Sequence, residues 1–287
     1  MKHILLLVLG LILGGCASDG STKPHASAKV VNPNATTVWR LTFDKRLEQN
    51  DFAAPIVNVD FGDETLPFLV DTAATSHVID QWAAKLTGLP VENDRLTTAF
   101  EIDDDKMPAA GFTVAKLNSR YEDSGVAGSL SPQLLMGDKA IALDFLNSKF
   151  HRGDFDALMA DRNAEVVTAE TGKICPEQGP AKTNLYVLTV KIDNIPLKLL
   201  VDSNAEETAV IAGHAAAMKL SKEGKSNFSR LHKGKVTVGG KTVTRMVDIL
   251  DMPNLPCGVE GVLGMDVLKL CTLVIDQKRM GLRCNND

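Results

Sequence analysis

From Val38 onward, apolar positions alternate with polar ones more often than they recur at helical spacing. Val57, Val59 and Phe61 alternate with Asn58 and Asp60, and Phe68-Leu69-Val70 runs unbroken into Asp71. Period-two alternation marks a half-buried strand, and a short unbroken apolar run fits a strand buried on both faces. A helical spacing follows at Gln81 to Leu86. The same order returns later in the chain. Leu188, Val190 and Ile192 alternate, Leu199-Leu200-Val201 runs into Asp202, and Ala212 to Leu220 reads as a helix.

That return is an internal repeat. PFLVDTAATSHVI (67–79) lies on LKLLVDSNAEETAV at an offset of 131. SGVAGSLSPQLL (124–135) lies on CGVEGVLGMDVL (257–268) at 133, and ALDF (142–145) on VIDQ (274–277) at 132. Three blocks in one order at nearly constant offset point to two copies of one unit. Each copy spans roughly 100 residues, a usual size for a small domain. The expected organisation is a first lobe at 38–150, a linker at 151–183 and a second lobe at 184–287. Gly153, Gly172, Pro176, Gly179 and Pro180 punctuate the linker. Residues 17–37 are rich in Ser, Thr, Ala, Lys, Pro and Asn without apolar period, the composition of a flexible tether.

Composition adds limits. Hydrophobic content of 44% and charged content of 23% suit a folded body, and the net charge of −5 offers nucleic acid no electrostatic attraction. No His-Glu-x-x-His or Cys-x-x-Cys pattern supports a metal, and no Gly-x-Ser-x-Gly elbow is present. Gly224-Lys225-Ser226 ends like a phosphate loop, but Lys219 stands where the first glycine belongs. No metal or organic cofactor is expected.

The leader has its own pattern. Lys2 precedes the apolar run Ile4 to Leu13, which is shorter than the roughly 20 residues a membrane span needs. Residues 1–15 therefore read as a cleaved signal peptide. Leu13-Gly14-Gly15-Cys16 resembles a bacterial lipobox. The resemblance implies acylation of Cys16 and anchoring to a lipid bilayer. With Ala17 after the cysteine, the resemblance to bacterial lipoproteins further implies the outer membrane, with the protein facing the periplasm.

Four cysteines remain: Cys175, Cys257, Cys271 and Cys284. An even number in an exported protein suggests two disulfides. If Gln277-Lys278 is a two-residue hairpin turn, Cys271 and Cys284 fall opposite each other at a non-hydrogen-bonded site, which would leave Cys175 with Cys257.

The repeat also carries candidate chemistry. Each copy has an apolar strand ending in Asp-Thr or Asp-Ser, then a Gly-hydrophobic-hydrophobic segment, a short helix and a closing strand. This resembles the retropepsin-like aspartic proteases and their two-lobed, pepsin-like relatives, over residues 53–150 and 184–284. The resemblance implies a mainly β fold of two tandem acid-protease-like β-barrel lobes related by a pseudo-two-fold axis. It implies that Asp71 and Asp202 form a catalytic dyad, and that the Thr72 and Ser203 hydroxyls hold the two loops together. Two carboxyls brought together cannot both ionise easily, so they share a proton and can act as acid and base on one water.

The departures lie at glycine positions. Ala73 and Asn204 stand where the family has glycine after Asp-Thr or Asp-Ser, and Ser131 stands where the second copy has Gly264. His77 aligns with Thr208 and His214 with Gln81 or Trp82, partners too different for a shared catalytic role. Met265 and Leu268 sit at helical spacing and read as core.

Charge is uneven. Residues 94–106 hold five acids against two bases, and residues 222–245 seven bases against one acid. Two solvated faces, or opposed walls of a cleft, would each fit this pattern. The expected function is a monomeric aspartic endopeptidase of the envelope, acting on peptide or protein substrates. The alternative is a protein of the same shape that binds peptides or envelope proteins without cleaving them.

Overall fold

Two similar strand layouts occur in succession, joined by a shared sheet. The computed structural model describes residues 37–43, 54–160, 165–168, 185–220, 224–225, 230–251, 255 and 258–284. In the first lobe, Pro55–Asp60 and Thr65–Val70 form an antiparallel hairpin. Thr65–Val70 then lies parallel to Gly128–Leu130, which pairs with His77–Asp80, and that strand lies parallel to Asp105–Ala115. The hairpin Arg95–Ile102 with Asp105–Ala115 returns to Asp60 through Glu101, which closes six strands of this eight-stranded sheet into a barrel.

The second lobe repeats this path with seven strands. Val187–Ile192 pairs with Ile195–Val201 across an Asp193-Asn194 turn. Both turn residues have left-handed φ, 50° and 69°, as a tight hairpin with strand-like twist requires. Ile195–Val201 lies parallel to Gly261–Leu263, and Lys191 pairs with Thr237 to close the barrel. The parallel pairs Val70–Leu130 and Val201–Leu263 occupy matching places, as the repeat predicts. The fold is therefore mainly β, with two tandem barrel lobes arranged with pseudo-two-fold symmetry.

The cores differ in content. Phe61, Phe68, Phe100 and Phe112 fill the first with tilted and edge-on ring pairs, 5.4–6.2 Å between centroids. Aliphatic residues such as Leu188, Val190, Leu199, Val236 and Ile249 fill the second. Both share one constraint. A Cβ on Gly128 would lie 2.0 Å from the Val78 carbonyl oxygen, and one on Gly261 would lie 2.0 Å from that of Ala209. Only glycine allows two backbones to approach so closely.

Each lobe sends its closing hairpin into a common six-stranded sheet, where Ala140–Asp144 pairs with Cys271–Ile275. Ala142 stands opposite Val274, its own counterpart at the offset of 132, so the pseudo-two-fold axis passes through that pair. Thr37–Arg40 covers one edge and Glu165–Thr168 the other. Cys271 and Cys284 are paired in register and bonded as a disulfide, with Gln277 and Lys278 at the turn. Cys16, Cys175 and Cys257 lie outside the described residues.

The expected helix at Gln81 is present as Gln81–Leu86, with the Asp80 carboxylate accepting the Trp82 N–H at its N-terminus. The second, expected to reach Leu220, ends earlier, as Ala212–Ala217. Met265 and Leu268 are core, as their spacing suggests.

The cleft-wall reading of the charged stretches does not hold for the first lobe. The tip of its acidic hairpin lies beside the start of Thr65–Val70, and the Asp103 carboxylate accepts the Arg40 N–H. Asp71 leaves the other end of that six-residue strand, about 20 Å away. The second lobe places its Gly239-Gly240 tip likewise, next to Cys284 and beyond the far end of Ile195–Val201 from Asp202. Within these stretches Glu101 pairs with Lys106, and His232 Nε2 lies 2.7 Å from Asp193 Oδ2.

Candidate active site

Each aspartate follows an apolar strand and is fixed by the parallel strand beside it. The Asp71 N–H donates to the Leu130 carbonyl at 2.9 Å, and the Asp202 N–H donates to that of Leu263 at 3.1 Å. The chain then turns. The N–H of Ala74 donates to the Asp71 carbonyl at 3.2 Å and that of Ala205 to the Asp202 carbonyl at 3.3 Å. Burial of the preceding apolar runs thus brings each carboxyl to an inner end of its barrel.

Two fully buried hydroxyls join the loops. Thr72 Oγ1 accepts the Ser203 N–H at 3.0 Å and donates to the Val201 carbonyl at 2.8 Å. Ser203 Oγ accepts the Thr72 N–H at 3.0 Å and donates to the Val70 carbonyl at 2.5 Å. Four backbone groups buried between the lobes are satisfied by two side chains, so the loops meet in one register.

Asp71 and Asp202 stand within electrostatic reach of each other. Burial, and then the Asp202 charge, push Asp71 up to about 7, although the N–H groups of Ala73 and Ala74 and the Asn204 amide favour its ionised form. Burial also raises Asp202, against the N–H groups of Asn204 and Ala205. Those two N–H groups reach Asp202 Oδ1 at 2.9 and 3.2 Å, and the Ala73 N–H reaches Asp71 Oδ1 at 2.9 Å. Both carboxyls are thus harder to ionise than free ones, Asp71 also because of the Asp202 charge.

The replaced glycines have separate explanations. Neither Ala73 nor Asn204 has a positive φ, so the backbone here does not require glycine. Asn204 adds a contact of its own. Its side-chain NH2 donates to Asp71 Oδ2 at 3.2 Å, and its oxygen accepts the Tyr121 hydroxyl at 3.0 Å. Ser131 fits because its hydroxyl donates to Gln133 Oε1 at 3.1 Å, while Gln133 Nε2 donates to the Thr72 carbonyl at 2.6 Å. At Gly264 there is no such room, since a Cβ would lie 2.5 Å from the Glu207 carbonyl carbon.

The histidines are local. His77 Nδ1 accepts the Ser131 N–H at 3.1 Å, the place that Thr208 Oγ1 takes against the Gly264 N–H at 3.2 Å. Burial lowers His77 to about 4, so its ring is neutral near pH 7. His214 lies 3.5 Å from Glu260 on the outside of the second lobe.

Three residues near the site were missed in the sequence. Gln133 and Asp266 are counterparts at an offset of 133, a signal the repeat held. Asp266 Oδ1 accepts both the N–H and the hydroxyl of Thr208, at 2.9 and 2.7 Å, and burial raises its carboxyl to about 6. Tyr121 left no comparable signal, because its counterpart position in the repeat holds Asn254. Among the described residues no cluster of His, Cys, Asp and Glu could hold a metal ion.

No curated protein matches the chain significantly. Residues 57–120 match the model of the aspartyl protease family. That span takes in the Asp71 loop and the strand that leads into it and ends before Gly128–Leu130, so the first lobe carries a partial aspartyl-protease-family domain within a two-lobed β-barrel architecture.

Proposed function

We propose that this chain is an aspartic-type endopeptidase that hydrolyses peptide bonds through Asp71 and Asp202. The observation that carries this reading is the reciprocal Thr72–Ser203 clasp, which joins the two loops that bear raised carboxyls. In the singly protonated pair, the ionised carboxylate takes a proton from water as its oxygen attacks the peptide carbonyl carbon. The protonated partner gives its proton to the carbonyl oxygen. Collapse of the tetrahedral diol breaks the C–N bond as the nitrogen takes a proton from the dyad. The rate falls as pH rises past about 7, where Asp71 loses its proton.

A peptide-library cleavage assay across pH 3 to 8 tests this. Wild type should cleave with a bell-shaped profile, and Asp71→Asn and Asp202→Asn should each abolish turnover. Cleavage that persists in both variants removes the dyad mechanism.

One observation favours a second reading, a protein that binds peptides or envelope proteins without cleaving them. The Asn204 amide already occupies Asp71 Oδ2. Peptide binding without cleavage at any pH would decide for it.

In either case the protein works at the bacterial envelope as a monomer, held to the outer membrane by acylated Cys16 and facing the periplasm. Cys16→Ser should move it to the soluble periplasmic fraction. Retention of the variant in the membrane, with its acyl label, would remove the anchor.

A further inference from the structure

Tyr121 lies outside both aspartate loops, on the short helix Ser119–Asp123, yet two hydrogen bonds link it to Asp71. Its half-buried ring packs on Ala54, Ile56, Leu69 and Val126, so the hydroxyl is delivered from a fixed platform in the first lobe. That hydroxyl donates to Asn204 Oδ1 at 3.0 Å. The same amide donates from Nδ2 to Asp71 Oδ2 at 3.2 Å, and its backbone N–H donates to Asp202 Oδ1 at 2.9 Å. Asn204 thus touches both carboxyls, and Tyr121 touches the end of the amide that points away from Asp71.

An amide has one donor end and one acceptor end. In the observed orientation the donor end faces Asp71, which suits an ionised carboxylate. A flipped amide would set its oxygen against Asp71, which is tolerable only when that carboxyl is protonated and donates. The flip would also turn the Tyr121 hydroxyl from donor to acceptor. Amide orientation and the Asp71 proton are therefore linked through Tyr121. The charged group facing Asp71 is Asp202, from the opposite loop. Glu122 and Asp123 follow Tyr121 but are exposed.

We propose that Tyr121 is a positioning residue for the dyad: its hydroxyl holds the Asn204 amide with the donor end on Asp71 and so governs how readily Asp71 takes and releases its proton. This rests on the dyad reading for its catalytic consequence, but not for its effect on titration. The family's paired aspartates need no such amide, so the linkage belongs to the Asn204 departure in this chain.

The test is Tyr121→Phe, which keeps the ring and removes the hydroxyl. Carboxyl-carbon NMR of the intact protein follows the titration of Asp71 without reference to activity. The variant should raise the Asp71 pKa by about 0.5, the scale of one hydrogen bond's differential effect. The alkaline limb of any kcat/KM profile should move up with it. In an Asn204→Ala background, Tyr121→Phe should leave the Asp71 titration unchanged, because the link is gone. An unchanged titration in the single variant overturns the proposal, as does an equal rise in both backgrounds. A raised titration in a protein that cleaves nothing keeps the proposal and removes the endopeptidase reading.

Discussion

Thr72 Oγ1 accepts the N–H of Ser203, and Ser203 Oγ accepts the N–H of Thr72, both at 3.0 Å. Each hydroxyl then donates to a carbonyl of the opposite lobe. The two halves of the site are thus joined by hydrogen bonds that neither lobe can make alone.

Loss of one hydroxyl leaves a buried N–H and a buried carbonyl without partners. Ser203→Ala should therefore destabilise the protein by about 2–4 kcal/mol. Urea denaturation at fixed pH checks this, and Ser203→Thr, which keeps the hydroxyl, should recover part of the loss.

Asp266 should make stability fall as pH rises. Its folded value, about 6, lies above the ordinary 3.8, so the folded state holds its proton more tightly than the unfolded chain. The contribution is complete below about pH 4 and is lost as pH rises through about 6. The size is about 3 kcal/mol at most, and the Arg245 charge acts against it. Asp266→Asn keeps an oxygen for Thr208 and cannot ionise. Its stability relative to wild type should improve steadily from pH 4 to pH 7, measured by urea midpoints at each pH.

The two lobes should respond unequally to exchange of Ser131 and Gly264. Gly264→Ser places a Cβ 2.5–2.6 Å from the backbone of Glu207, where no flexible side chain can yield. The variant should lose more than about 2 kcal/mol. Ser131→Gly removes one hydroxyl bond to Gln133 and should cost about 1 kcal/mol. Thermal unfolding of both variants gives the comparison.

Restored glycine at position 204 should matter more than at position 73. Ala73 presents only a methyl, and neither residue has a backbone that needs glycine. Asn204→Gly frees Asp71 Oδ2 from its amide partner. If the dyad is catalytic, kcat should rise about tenfold in Asn204→Gly and change less than twofold in Ala73→Gly, as one hydrogen bond to a charged group is worth about that factor. Steady-state kinetics on one cleavable peptide checks the order.

Period-two alternation before Asp71 and Asp202 was enough to place the strands, because burial of one face or both is a local property of a strand. The repeat was enough to make the aspartates counterparts, because two copies of one fold carry equivalent residues at equivalent places, whereas only the shared sheet sets Ala142 opposite Val274. The Cys271–Cys284 pairing was also legible, since a two-residue turn sets its own register. Chain path alone decided the rest. The acidic hairpin lies at the far end of its lobe, because the hairpin closes the barrel at Asp60 rather than beside Asp71. Asn204 reaches Asp71 across 133 residues of sequence, and Tyr121 reaches Asn204 across 83. Such contacts depend on which side-chain ends the packed lobes leave within hydrogen-bond distance, and no periodicity or spacing along the chain carries that information.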